Sequence, residues 1–565
     1  MNEKRFSDRF NAEPTMKKLS ILIAPLLTLA LVLSVPRCSD APSPPAEAAQ
    51  PNQESDWPVS TPEEQGVDSE NLLQMIKTIR KEDRNVHSIL IVRHGRLLLE
   101  AYFSPYKKDF KHIIFSATKS ISSLLVGIAL QEGFIKSLDT PLVDFFPEYR
   151  GKLANLDERK KALTLKHVLT MTDGLDWIDW PYRVERHGDF LNLLSSADGA
   201  KYYLDKPMKE LPGGKFNYNS GSSYMLAAII QKATGKNALE FGREKLFRPL
   251  GITDIAWGKY QAGIYCGGSE FFIRPRDFAK IGSLVLNQGK WEGKQVVPAE
   301  WISEISREHV KSDFLQFGYS FQWYIDETLP EKSISAQGLG GQYLFVVPGQ
   351  DLAAVFTAGM IRGSEADTPF FYLRDFILPA LKSAKALPAN PRVAQKLAMM
   401  LRECENPPPK KVSPLPPLAE KISGHTFMFP ERSIEKNLWG LETASLFFDK
   451  KGECRLKMTF SGNIEQVSLG FDAMFRSSPG APRLPVLDAV IGLDGAYRTV
   501  MVKTDAGVMP YSAKGRWKDE KNFEVTSLSG WSLPEVHTFE FQTENTVIHN
   551  CRTIFYNFSL RGEKK

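Results

Sequence analysis

Cysteine is scarce in this chain: five residues, at positions 38, 266, 404, 454 and 551, among 565. None forms a C-x-x-C pair or stands at metal-ligand spacing from any of the nine histidines, so a zinc centre or a thioredoxin-like redox motif is not expected. An excess of one charge is missing too. The 71 basic and 66 acidic residues leave a net charge of +5, with no basic block beyond short runs such as Lys410-Lys411, and nucleic-acid binding gets no support. There is no G-x-S-x-G elbow, no H-E-x-x-H, no P-loop and no repeat of fixed period. Neither a metal nor a cofactor is therefore expected.

What is present is ordinary globular material, 42% hydrophobic, 24% charged and 11% aromatic. At 565 residues the chain exceeds what one core usually holds, so two folded domains with tails are expected. Near the start, Met16-Lys17-Lys18 precedes the apolar run LSILIAPLLTLALVLSVP, with the basic and apolar regions of a secretory signal. Residues 1–38 are read as a signal or anchor region. Three outcomes stay open: lipidation at Cys38, which Arg37 disfavours; cleavage near Ala46-Glu47-Ala48; or an uncleaved anchor, the run approaching the ~18 to 20 apolar residues that span a bilayer. Each makes the protein exported, periplasmic or membrane-anchored, and faces its bulk outside the cytoplasm.

Residues 39–56 are rich in proline, alanine and polar side chains without apolar periodicity and read as a flexible tether. A second break, CENPPPKKVSPLPPL at 404–418, favours an extended segment that neither helix nor sheet absorbs. Between them, 57–403 mixes strands and helices. HSILIVRHGRLLLEAYF reads as a hairpin turning at His94-Gly95-Arg96. SATKSISSLLVGIALQEG places Ile121, Leu124, Leu125 and Ile128 on one helical face, with valine and alanine filling most of the rest, which predicts a helix buried nearly all round. Residues 222–235 and 275–289 are helical by the same test and end in glycine. From 419 to 565 strand alternation dominates, as at Cys454, Leu456, Met458 and Phe460, which predicts an antiparallel β-domain. Cys454 and Cys551 fall on its strands, and a disulfide or two buried thiols are both compatible with export.

The chemistry concentrates at Phe115-Ser116-Ala117-Thr118-Lys119, the head of the buried helix. Ser116 and Lys119, three residues apart, share a helical face, close enough for the amine to take the hydroxyl proton. Burial disfavours the ammonium and brings a lysine toward the neutral form that such a base needs. A bare S-x-x-K usually means a capping serine and a surface lysine. Here the helix has hardly any polar face on which a surface lysine would sit.

FSATKSISSLLVGIALQEG, SLDTPLVDFFPEY, LTLKHVLTMTDGLDW, GGKFNYNSGSSYMLAAIIQKATG, IRPRDFAKIGSLVLNQGKWEGKQVVPAEWI and AQGLGGQYLFVVPGQDLAAV, in this order, resemble the class C β-lactamase-related serine hydrolases, and among them the 6-aminohexanoate-dimer hydrolases and related esterases. The resemblance spans roughly residues 57 to 385. It implies an α/β (α+β) domain, an antiparallel sheet with helices beside an all-helical subdomain, and an active site between them. It makes Ser116 the nucleophile and Lys119 its base, and gives Tyr218 a share in proton transfer. It matches the third family motif to Ala336-Gln337-Gly338, which with Ser220 would contact substrate. The N–H of Leu339 would then join that of Ser116 as an oxyanion hole. Gly338, Gly340 and Gly341 also suit a tight turn between strands.

Two positions depart from the lactamase pattern: Ser220 replaces an asparagine and Ala336 a lysine or histidine. Loss of that cation removes a charge-assisted hydrogen bond of ~1.5 to 3 kcal/mol to a substrate carboxylate, which argues against efficient β-lactam turnover and for a small ester or amide. A D-amino-acid peptide of the cell wall, or a non-catalytic sensor keeping the fold, are the alternatives; retention of Ser116, Lys119 and Tyr218 counts against the second. His167, in an apolar helical stretch, reads as a core or interface histidine, Asp173 and Asp176 as caps of a glycine turn, and Cys266 as structural.

Overall fold

His94 and Gly95 both adopt positive φ, 49° and 70°, so the chain reverses in two residues between strands Val86–Arg93 and Arg96–Tyr102. That geometry matches the right-handed twist of paired strands. In the computed structural model the hairpin opens an eight-stranded sheet, in spatial order 96–102, 86–93, 352–358, 342–347, 333–338, 324–326, 318–319 and 310–311. The named pairs are antiparallel throughout. The structure describes residues 57–179, 188–260, 263–312, 317–360, 365, 367–431, 437, 440–449, 452–460, 486–504, 507–529, 534–552 and 557–565. The expected signal region and tether, with Cys38, lie outside the described residues.

Strand Val86–Arg93 is buried along its whole length because both faces of the sheet are covered. On one face, Ile89, Ile91, Phe345 and Phe356 pack with Leu72, Met75 and Ile76 of helix Ser69–Lys81 and with Val393 and Leu397 of helix Pro391–Glu405. On the other, Leu90, Val92, Leu344 and Val355 pack with Phe278 and Ile281 of helix Pro275–Leu286 and with the nucleophile helix, Thr118–Gln131. Every side chain of that helix from Thr118 to Ala129 is buried. Burying Ile121, Leu124, Leu125, Val126 and Ile128 is worth on the order of 10 kcal/mol, enough to carry a few unfavourable polar groups. Beside the sheet lies a helical subdomain that includes Leu165–Leu169, Gly199–Asp205 and Ser220–Thr234, the last ended by Gly235 at φ 71°. Among the described residues no helix is long and apolar enough to cross a membrane.

Helix Pro391–Glu405 runs just into the proline-rich stretch, which then passes on toward the final domain, where Lys410 N donates to Asp494 O at 2.9 Å. The final domain is antiparallel β, as the alternation predicts. Nine of its strands close into a barrel: 426–428 pairs with 557–564, and 486–492 meets 507–517 in parallel at Gly492 and Lys514. The remaining strand, Arg498–Thr504, pairs with Gly507–Trp517 beside the closure. Phe427, Leu446, Leu456, Met458, Phe523, Phe539 and Val547 fill the barrel. Cys454 and Cys551 are separate buried thiols on non-neighbouring strands, not a disulfide. Residues Trp57–Lys565 form one compact unit.

Candidate active site

Ser116 stands on a strained turn. Strand His112–Ile113 pairs with 271–273 and Ile114 N donates to Phe271 O at 3.0 Å, which anchors the chain on its way in. Phe115 then takes φ 43° while its ring is buried, and a 3-10 turn, Phe115–Ala117, leads into the nucleophile helix. A non-glycine residue held there costs roughly 1 to 3 kcal/mol, which the surrounding core must offset. The result is a serine at a helix start, partly exposed where its neighbours are buried.

Lys119 comes back along the same face. Its Nζ lies 3.3 Å from Ser116 Oγ and 2.9 Å from Gly268 O, and the side chain is buried. Burial pushes its pKa down to about 8, with Asp179 and Cys266 opposing the shift. About one lysine in ten is then neutral at pH 7, a usable fraction for a base. The serines that follow do not make a polar surface. Ser120 Oγ donates to Gln322 O at 2.7 Å and Ser122 Oγ to Gly267 O at 2.6 Å, fastening the helix to the loops around the lysine.

Tyr218 precedes helix Ser220–Thr234, whose cap, Asn219, accepts from Ser222 N at 3.1 Å and donates to Asp173 Oδ2 at 2.8 Å. Burial together with Asp179 raises the pKa of Tyr218, while Ser116 and Ser220 beside its hydroxyl oppose the shift. Lys119 Nζ is 5.1 Å from its ring centroid. Ser116, Lys119, Tyr218 and Ser220 are thus brought together. Phe216, Tyr319 and Tyr324 pack around Tyr218 as an aromatic wall.

Two carboxylates were underrated or missed in the sequence. Asp173 does cap its turn, accepting from Leu175 N at 3.0 Å, but it is also a buried hub for Tyr203, Asn219 and Ser222. Asp176 is exposed. Asp179, not singled out by any sequence pattern, is buried and accepts from Ser220 N at 2.6 Å, Ser220 Oγ at 2.8 Å and Trp177 Nε1 at 2.9 Å. Nothing in LDWIDW, which holds two aspartates among its six residues, marks Asp179 as the buried one.

The third motif lies on strand Ser333–Gly338. A Cβ at Gly338 would sit 2.1 Å from Ile114 O, so glycine is what lets this strand lie against the nucleophile turn. Ala336 pairs with Leu344 and is fully buried in the core shared with the nucleophile helix. Gln337 pairs with Tyr343 on the opposite face, and its amide donates to Ser335 Oγ at 2.9 Å, so its side chain does not join the Ser116 cluster. Leu339 is exposed at 37% and starts the turn that Gly340 and Gly341 complete at φ 81° and 88°. Gln342, unnoticed in the sequence, pins that turn: its amide donates to Leu339 O and Ala358 O and accepts from Ala358 N.

A profile of the Beta-lactamase family matches residues 74–367. The chain belongs to that family. Among its β-lactamase-family relatives, the 6-aminohexanoate-dimer hydrolase of Paenarthrobacter ureafaciens is 24% identical over 290 residues, 49% of this chain and 73% of the relative. The lovastatin esterase of Penicillium rubens is 24% identical over 241 residues, 34% of this chain and 60% of the relative. Among solved structures, the octameric penicillin-binding protein homologue from Pyrococcus abyssi aligns with 87% of this chain and 99% of its own at 16% identity and a TM-score of 0.45. This β-lactamase-family chain is a serine hydrolase.

The other singled-out residues of this family member are structural. His167 closes a capping box with Thr164 at the start of helix Leu165–Leu169, and burial lowers its pKa. The Cys266 thiol shares a hydrogen bond with the Tyr260 hydroxyl, the Cys266 carbonyl accepts from Trp257 Nε1 at 2.7 Å, and burial pushes the thiol far up, so it stays protonated behind Lys119. Among the described residues no group of three histidine, cysteine, aspartate or glutamate side chains is placed to hold a metal.

Proposed function

We propose that the protein hydrolyses a small ester or amide through an acyl-enzyme on Ser116. The observation that carries this is Lys119 Nζ at 3.3 Å from Ser116 Oγ, with a pKa held at about 8 by burial. In the first step Ser116 Oγ attacks the carbonyl while neutral Lys119, supported by Tyr218, takes its proton. The N–H groups of Ser116 and Leu339 stabilise the oxyanion, the first helped by the helix start. The ammonium returns a proton to the departing alkoxide or amine, and water, activated by the same base, releases the acid.

The substrate class follows from what the cleft offers. Ala336 supplies no cation for a carboxylate, and the partly buried Tyr218 and Tyr324, backed by the buried Tyr319, offer aromatic surface. Neutral esters and small amides suit such a wall better than β-lactams. The relatives named for 6-aminohexanoate-dimer hydrolysis and for lovastatin ester cleavage agree with this class. The apolar segment after Lys18 supports an exported, periplasmic or membrane-anchored protein. A fluorophosphonate probe is expected to label the wild type and not Ser116→Ala, with p-nitrophenyl ester turnover lost in parallel. Absence of any Ser116-dependent label or turnover overturns the proposal.

A further inference from the structure

Gln322 stands between the sheet and the helices of the site. It lies in the turn between strands Gly318–Tyr319 and Tyr324–Asp326, 2% exposed, and holds φ at 64°, a conformation that glycine adopts more readily. What the glutamine adds is its amide. Oε1 accepts from Ser223 Oγ at 2.7 Å on helix Ser220–Thr234, and Nε2 donates to Val168 O at 3.2 Å and Leu169 O at 3.1 Å at the end of helix Leu165–Leu169. Both amide hydrogens are thus used, and turning the amide over would set its oxygen against two carbonyls. The Gln322 backbone reaches the nucleophile helix, where its carbonyl accepts from Ser120 Oγ at 2.7 Å. The nucleophile helix and helix Ser220–Thr234 meet again at Gly267 and Gly268. Ser122 Oγ donates to Gly267 O at 2.6 Å and Lys119 Nζ to Gly268 O at 2.9 Å, while a Cβ at Gly267 would fall 2.0 Å from Ser223 O. These contacts close a ring beside Lys119, from Ser120 to Gln322, Ser223, Gly267 and back to Ser122.

We propose that Gln322 is a positioning residue for Lys119: its amide sets the separation of the nucleophile helix from helix Ser220–Thr234, and with it the bond that holds Nζ on Gly268 O beside Ser116. This rests on the reading of Ser116 as nucleophile and Lys119 as its base. A glutamine at positive φ carries backbone strain that glycine would relieve, and the strain persists because the amide fastens the turn to two helices at once. Gln322 acts through Ser120 and Ser223. Without its amide, helix Ser220–Thr234 can draw away from Gly267 and Gly268, Nζ loses its carbonyl partner and water reaches the amine. The titratable groups that face Nζ are Tyr218, with its ring centroid 5.1 Å away, Asp179 and Cys266. Asp179 and Cys266 favour the ammonium, so burial is what brings the amine down to about 8. Wetting the site therefore raises the pKa of the base, an effect that a loss of stability does not produce by itself.

The test measures kcat and KM for p-nitrophenyl butyrate on the full chain between about pH 6 and 10, beside thermal melting, for wild type, Gln322→Met, Ser223→Ala, their double variant and Ser116→Ala. Methionine is close to glutamine in length and lacks its amide. In Gln322→Met the acid limb of kcat/KM is expected to move to higher pH by roughly half a unit or more. Its kcat is expected to fall roughly tenfold with KM nearly unchanged. Ser223→Ala moves the limb the same way by less, and the double variant moves it no further than Gln322→Met, because both remove the same bond. A folded Gln322→Met whose acid limb coincides with that of wild type overturns the proposal, however far its melting temperature falls. If that variant does not fold, Ser223→Ala decides, and an unmoved limb there overturns it. Activity that survives in Ser116→Ala sinks the nucleophile reading and this inference together. Activity lost in Ser116→Ala with an unmoved limb in Gln322→Met sinks only the inference.

Discussion

Gly268 meets Lys119 backbone to side chain: its carbonyl oxygen accepts from Nζ at 2.9 Å, and a Cβ at position 268 would lie 3.1 Å from that same nitrogen and from Ser223 Cβ. The glycine therefore does two things at once, anchoring the base and leaving it space. Gly268→Ala is expected to displace Nζ from Ser116 and lower kcat/KM at least tenfold, at a stability cost of about 1 to 3 kcal/mol typical of overpacking. Steady-state kinetics beside thermal melting checks it. A variant with wild-type kcat/KM shows that the close approach is incidental.

The pH dependence follows from the lysine. A base must be neutral to act, so kcat/KM is expected to rise with pH through about 8, the value to which burial brings Lys119. For stability the sign runs the same way. The folded pKa lies below the unfolded value of 10.5, so between about 8 and 10.5 the unfolded chain binds more protons and the Lys119 contribution to stability improves as pH rises. Below pH 8 the cost of burying the amine, on the order of 3 kcal/mol, is fully present. In urea unfolding, Lys119→Met is expected to be more stable than wild type near pH 7, with the gap narrowing toward pH 10. A gap independent of pH counts against a buried, titrating Lys119.

The nucleophile helix was legible because its signals are local. Apolar spacing at Ile121, Leu124, Leu125 and Ile128 leaves no polar face, and a lysine inside such a stretch has to be accounted for. Tyr218 was reachable only through the family resemblance, since one tyrosine ahead of a helix has no periodicity to mark it. Asp179 was not reachable at all. Its meaning comes from Ser220 and Trp177 folding over it, contacts that no spacing encodes. At the third motif the glycines marked the hairpin turn, but strand alternation sends Gln337 to the far face and leaves the pinning to Gln342, the next glutamine along. In the final domain alternation showed strands without order. Closure of the barrel depends on pairing residues 426–428 with 557–564, ends of the domain that share no local signal.

Ala336 gives a prediction about specificity that separates fold from substrate. A lactamase-like cation could be restored on paper by Ala336→Lys, but position 336 is fully buried in the core cluster that also holds Ile114, Phe115, Ile334 and Leu344. An ammonium placed in that core has lost its water. Such an unpaired buried charge costs several kcal/mol, on the order of 3 to 5, and relief requires the strand Ser333–Gly338 to shift. Because Gly338 on that strand lies against Ile114 O, a shift disturbs the nucleophile turn as well. Ala336→Lys is therefore expected to lower the melting temperature by several degrees and to lose p-nitrophenyl ester turnover without gaining hydrolysis of nitrocefin. A stable variant that hydrolyses nitrocefin means that the lysine side chain reaches the cleft, and that the missing cation alone separated this site from a lactamase.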